Sequence, residues 1–259
     1  MSAAAGWRWI AEGFGLLRRQ PLALLALVFL FFLMLMLPSG IVPWVGGTLP
    51  LLLMPLLSFG LMCAFRVADR GQAPRPGLLL AGLREAQGTA WKPLLLLGGF
   101  NALTTLLALT LTLLVDGGTL MRLVTGTIES SDPQLADPSL AVAGALFLLL
   151  YTPVQMALWY APMFVAWHRM GIGQALFTSF VAVWRNRAAF VTFMLGWLAV
   201  AFAASLAVQL LRGAMSGSPA LAAFVLSPLS LAMLTALYGS IWASYRDPIR
   251  DESAAPGPR

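Results

Sequence analysis

Long apolar runs alternate with short charged connections along this chain. The runs cover about 21–37, 49–65, 94–115, 140–167, 188–211 and 221–245. Each approaches or exceeds the ~20 apolar residues that a ~30 Å hydrocarbon slab demands of a crossing helix. A closed barrel is the other structure that satisfies its backbone in lipid, but its strands alternate apolar and polar over about 10 residues. Leu24 to Leu37 shows no such alternation. The pattern therefore predicts an all-α, six-transmembrane-helix polytopic protein. It forms one integral-membrane domain over 1–245, followed by a short disordered cytoplasmic tail over 246–259. Pro21 opens the first span, where a missing N–H costs nothing, and Pro38-Ser39-Gly40 is read as the turn after it.

Three stretches before the odd-numbered spans are amphipathic at helical spacing. Trp7, Ile10, Phe14 and Leu17 form one apolar face, opposed by Arg8, Glu12 and Arg19. Leu79, Leu83, Ala86 and Ala90 form a second, backed by Arg84, Glu85 and Gln87. Ile172, Leu176, Phe180 and Val183 form a third, backed by Gln174 and Thr178. Such segments are too short or too polar to span and are expected to lie in the interface plane. The even-numbered spans share a proline well ahead of a closing arginine: Pro50 with Arg66, Pro153 with Arg169, Pro228 with Arg246. The repeating unit is then one interfacial helix plus two spans, present as three pseudo-repeats.

Charge gives the orientation. Of the 16 Lys and Arg residues, only Arg122 and Arg212 lie outside the termini and the 66–92 and 168–187 connections. Basic residues concentrate on cytoplasmic flanks, so both termini are placed in the cytoplasm. Asp116, Glu129, Asp132 and Asp137 fall on the opposite face. Hydrophobic residues make up 59% of the chain and charged ones 10%, against about 25% charged in soluble domains. The net charge of +6 does not point to nucleic acid, because Arg18, Arg19, Lys92, Arg185 and Arg187 all abut the start of a span. There each basic side chain meets anionic headgroups, an attraction of about 1 kcal/mol. These five are the candidate anionic-lipid contacts. Trp7, Trp9, Trp91, Trp167, Trp184 and Trp242 mark the same boundaries as an aromatic belt, with Trp44 at the opposite interface and Trp159 and Trp197 deeper.

The Trp-rich, charged first 20 residues are not those of a cleaved signal peptide, and no A-x-A site follows the first apolar run. Cys63 stands alone, without an intrachain disulfide partner, and is read as a packing residue.

Several segments resemble a known family. Gly6-Trp7-Arg8-Trp9-Ile10, Leu17-Arg18-Arg19-Gln20-Pro21, Pro55-Leu56-Leu57-Ser58-Phe59-Gly60 and Ala68-Asp69-Arg70-Gly71 are similar to an uncharacterised family of proteobacterial polytopic inner-membrane proteins. Tyr160-Ala161-Pro162 and Trp167-His168-Arg169-Met170-Gly171 extend the likeness over most of the chain, apart from the 116–138 loop and the tail after Asp247. The overall layout is distantly similar to the membrane domain of glycerophosphodiester phosphodiesterases, whose soluble catalytic domain has no counterpart here. The resemblance implies the bacterial inner membrane and six spans, with no activity or site residue attached.

Chemistry is sparse. Ionisable residues inside a membrane are costly and mark function, and the six apolar runs contain no Asp, Glu, Lys or Arg at depth. The deep polar groups are neutral. Asn101, Thr104, Thr105, Thr110 and Thr112 share one run, Tyr151, Thr152 and Gln155 another, Ser205 and Gln209 a third. They are read as interhelical hydrogen-bonding groups, with Asn101 and Gln155 the candidates for lining a cavity. His168 and Arg169 suit a helix C-terminus, and Ala199, Ala203 and Ala207 form a small-residue stripe suited to close helix approach. One His and one Cys are too few for a soft-ligand metal site. Glu129, Asp132 and Asp137 match no calcium loop, and no nucleotide, zincin or serine-hydrolase motif is present. No catalytic, cofactor-binding or metal residue is assigned, so the chain is not expected to be an enzyme. A non-catalytic lipid-interacting or scaffold protein is the first expectation. Its partners are membrane lipids, with a protein partner or a second copy as further possibilities and nucleic acid excluded. The alternative is a carrier or permease for a small neutral or lipid-like substrate, with a cavity between the repeats and with Pro50, Pro153 and Pro228 permitting bending.

Overall fold

The structure, a computed structural model, describes residues 1–41, 47–129, 132–214 and 219–254. Every long regular element among them is an α-helix: α1 (Ala4–Arg19), α2 (Pro21–Ile41), α3 (Leu49–Asp69), α4 (Ala81–Gly88), α5 (Trp91–Asp116), α6 (Thr119–Val124), α7 (Pro138–Leu158), α8 (Ala161–His168), α9 (Ile172–Arg185), α10 (Arg187–Ala214) and α11 (Pro219–Ala254). Short 3-10 turns at Pro76–Leu80 and Pro133–Ala136 complete the set. Among the described residues four stretches are long and apolar enough to cross a membrane: α3, α5, α7 with α8 as one broken span, and the Arg187–Leu210 part of α10. A fifth is reached if α1 and α2, bent by 108° at their junction, count as one.

The three amphipathic stretches are helical, in α1, in α4 with the turn before it, and in α9. The residues they bury within the protein only partly coincide with the apolar faces read from the sequence. In α1 the buried set is Ala5, Gly6, Trp9, Ile10, Gly13 and Leu16, while Trp7 is 56% exposed. In α9 it is Ala175, Ser179 and Val183, with Ile172, Leu176 and Phe180 only half-buried. Ahead of α4, Leu79 is fully buried, whereas Leu83 within it is exposed. In α1, Gly6 and Gly13 help to set the buried face, because they admit neighbouring backbone that a bulkier side chain would hold away.

Helix boundaries moved for local reasons. Pro38-Ser39-Gly40 does not break α2, which continues to Ile41; membrane helices tolerate proline when the freed backbone groups find other partners. Pro50 lies in the first turn of α3, where it removes no rung, so it is no hinge. The proline inside that helix is Pro55. Asp137 caps α7, its carboxylate accepting the Ser139 N–H at 2.8 Å. Gly117, at φ 61°, closes α5 in the left-handed conformation usual at such ends. The tail expected from residue 246 begins as helix, since α11 continues to Ala254.

Two compact units divide the chain. The first comprises Met1–Leu33, Gly60–Ala81 and Arg185–Arg259. Here α1 packs against both α10 and α11. A Cβ at Gly6 would overlap the backbone of Ala189, and one at Gly13 would overlap the Ala236 carbonyl and the Ser240 hydroxyl. The ring of Trp9 meets Phe190 and Phe193 edge-on at 5.4 and 6.0 Å, and Phe14 stacks on Trp197 at 5.7 Å. Cys63 is buried in this unit.

The second unit comprises Met34–Phe59 and Gly82–Trp184. In it α5 packs against α6, α7 and α8. Gly98 lets α5 approach the backbone of Leu52, and Phe59 meets Trp167 at 5.2 Å.

Candidate functional site: an ion cluster and the exposed basic residues

Helix α1 carries Arg8, Trp9 and Glu12 on one side over just more than one turn, α3 ends on Asp69, and α11 carries Trp242, Arg246 and Asp247. The first unit brings these together. The Arg246 guanidinium pairs with both Glu12 and Asp69. The indole N–H of Trp242 donates to Asp69 at 3.4 Å. Asp247 accepts from Arg8 at 3.1 Å and from the Trp9 indole at 2.9 Å. Two nearly buried tryptophans, Trp9 at 1% and Trp242 at 6% exposure, thus each turn the indole N–H toward a carboxylate.

Exposure separates the pairs. Arg8 is 60% exposed, so its pair with Asp247 contributes at most about 1 kcal/mol. Arg246 and Asp69 are 15% and 13% exposed, where Coulomb attraction and desolvation are both large. Arg246 thereby ties α1, α3 and α11 together electrostatically. The sequence reading places Arg8 and Glu12 on a polar helix face, Trp9 and Trp242 in an aromatic belt and Arg246 at the end of a span, but it does not bring them together. The available signal was the presence of Glu12, Asp69 and Asp247 among basic flanks, opposite charges that the topology rule ignores.

The five basic residues assigned to lipid from the sequence stand apart from this cluster. Arg18, Arg19, Lys92, Arg185 and Arg187 are all exposed. Arg18 and Arg19 occupy the last turn of α1, Lys92 the first turn of α5, Arg185 the end of α9 and Arg187 the start of α10. Exposed tryptophans adjoin two of these places: Trp91 beside Lys92, whose ammonium lies 5.6 Å from its ring centre, and Trp184 beside Arg185. Trp44 lies outside the described residues.

Asn101 and Gln155 do not come together through a hydrogen bond. Asn101, 2% exposed, donates to the Leu51 carbonyl at 3.1 Å and accepts from the Tyr151 hydroxyl at 3.0 Å. It therefore ties α5 to α3 and α7. Gln155 is half-buried one turn beyond Tyr151. Ser205 and Gln209 lie along α10, where Ala199, Ala203 and Ala207 are exposed. Several deep threonines turn inward on their own helix: Thr104 and Thr105 donate to the carbonyls of Phe100 and Asn101, and Thr110 to that of Leu106. Among the described residues no three His, Cys, Asp or Glu side chains converge on a point where a metal ion could be held.

The sequence is 37% identical, over 248 residues, to a protein of Burkholderia thailandensis named a probable inner membrane protein; the match covers 95% of this chain and 91% of that one. No protein-family model matches the chain, and no solved structure matches it. These comparisons show no link to glycerophosphodiester phosphodiesterases. Apolar helices of spanning length, edged by basic residues, agree with a relative that matches nearly end to end: the chain belongs to the same family of inner-membrane proteins as the Burkholderia thailandensis protein.

Proposed function

We propose that this protein is a six-span, non-catalytic component of the inner membrane, with both termini cytoplasmic, whose basic and aromatic helix junctions hold anionic lipid. The observation that carries this reading is the exposure of basic residues at helix ends: Arg18, Arg19, Lys92, Arg185 and Arg187 all face outward where helices begin or end, two of them beside the exposed Trp91 and Trp184. A guanidinium or ammonium beside an amphipathic indole suits the headgroup region, where charge meets phosphate and the ring meets the acyl boundary. The helical course of α11 across the sixth apolar run supports the six-span count. A carrier reading stands second, because the Asn101 amide it would use is already engaged by Leu51 and Tyr151.

The test is extraction in native-lipid discs and mass spectrometry of what co-purifies. With all five cations changed to glutamine, retention of phosphatidylglycerol and cardiolipin should fall several-fold against the unaltered chain. Equal retention would remove the lipid reading. A stoichiometric small molecule lost on Asn101→Leu or Gln155→Leu would put the carrier in its place.

A further inference from the structure

Helices α7 and α8 are separated by a two-residue break at Trp159 and Tyr160. In an uninterrupted helix the Tyr160 N–H would bond to the carbonyl of Met156, four residues earlier. It does not. The Tyr160 N–H donates instead to Ser179 Oγ at 2.9 Å, and Ser179 Oγ donates to the Met156 carbonyl at 2.9 Å. A hydroxyl from α9 is thus inserted into one rung of another helix, a recognised cause of breaks and kinks. Ser179 is fully buried and Tyr160 is 4% exposed, so water does not replace this bridge.

The neighbouring residues weaken the uninterrupted alternative without forbidding it. Pro162 has no N–H for the Leu158 carbonyl, which removes the next rung but one. Tyr160 sits at φ −111°, ψ −7°, outside the helical basin but close to it. Past the break, Met163 and Phe164 both donate to the Tyr160 carbonyl, starting α8 afresh. The broken form has lost a direct rung and gained a bridged one, whereas the rejoined form would regain the rung and keep only the proline kink. Membrane helices accommodate both arrangements.

We propose that the α7–α8 joint is a two-state hinge, held open by the Ser179 hydroxyl and able to rejoin when α9 withdraws it. Helix α9 is suited to the input. Its Ala175, Ser179 and Val183 face is buried, while Phe177 at 70% and Trp184 at 55% exposure lie on its outer side. A shift of α9 therefore moves the serine relative to the break. This proposal does not depend on anionic-lipid binding.

The chain has 4 tyrosines, so selective 13C,15N-tyrosine labelling in lipid discs gives a spectrum simple enough to read, with Tyr160→Phe assigning the relevant signal. In Ser179→Ala the Tyr160 Cα shift should move to the helical range while the signals of Tyr151, Tyr238 and Tyr245 stay put. Ser179→Thr, which keeps the hydroxyl, should leave Tyr160 where the unaltered chain has it. An unmoved Tyr160 in Ser179→Ala would overturn the hinge. So would a protein that no longer folds, because the two freed groups would then have failed to find each other.

Discussion

At the scale of the residue, the decisive question is where each charge finds its counterpart. Arg246, 15% exposed, joins Asp69 at 13% exposure and the more open Glu12 at 40%, and removing one partner of the buried pair leaves the other uncompensated. Arg246→Met is expected to destabilise the protein by about 3–5 kcal/mol, measured as resistance to denaturation in detergent. Adding Asp69→Asn to Arg246→Met should recover part of that loss, whereas Arg8→Ala should cost at most about 1 kcal/mol because its pair is exposed. A cost for Arg246→Met no larger than that for Arg8→Ala would show that the cluster contributes nothing. Asp137 gives a pH signature. The Ser139 backbone N–H, and after it the Ser139 hydroxyl, hold its carboxyl below the ordinary value. A depressed folded pKa contributes stability that is fully present above the unfolded value of about 4 and is lost as pH falls through the folded value. The protection of the Ser139 and Leu140 amides, measured against the exchange rate of an unstructured peptide at the same pH, should accordingly fall on acidification below pH ~4, and Asp137→Asn should flatten that response.

At the scale of the element, α1 shows how a helix can be amphipathic in sequence and yet dock by a different face. The hydrophobic pattern marks Trp7, Ile10, Phe14 and Leu17 as the apolar face of an interfacial helix, whereas contact with α10 and α11 runs through Gly6, Trp9 and Gly13. Glycine scores as nearly neutral in any hydrophobic periodicity, but its missing Cβ is what allows the helix backbones to approach. Gly13→Leu is expected to push α1 off α11, with an overpacking cost of about 1–3 kcal/mol or more and a red-shifted tryptophan emission as Trp9 loses its cover. Gly15→Leu is the control, since nothing lies within 4 Å of the Cβ it would gain. Matching behaviour of the two variants would mean that α1 does not dock as described. The break between α7 and α8 carries the same lesson. Pro153 and Pro162 are visible in the sequence, but the inserted serine comes from 19 residues farther on and has no sequence signal.

At the scale of the whole molecule, the orientation proposed from the basic connections makes a direct prediction. A reporter fused after Arg259 should read cytoplasmic and one inserted near Ser131 periplasmic; Ser131 lies outside the described residues. Any other combination would refute an even number of spans or the placement of the termini. The count of six rests on run length and hydropathy, and the described helices alone supply four such stretches, or five with the bent α1–α2 pair.

The sequence by itself determined the solvent and the secondary structure. Lipid cannot hydrogen-bond a backbone, so apolar runs of this length are expected as helices, and the described ones are helical. It also determined that Arg18, Arg19, Lys92, Arg185 and Arg187 stand at helix ends, because a charge next to an apolar run has nowhere else to go. Tertiary structure alone decided which tryptophans are covered, leaving Trp7, Trp91 and Trp184 exposed and burying Trp9 and Trp242. It alone paired Arg246 with Glu12 and Asp69, 234 and 177 residues away, and set Ser179 between Tyr160 and Met156. Such contacts depend on how separate helices are packed, on missing side chains at Gly6 and Gly13 and on hydrogen bonds across hundreds of residues, none of which a local pattern records.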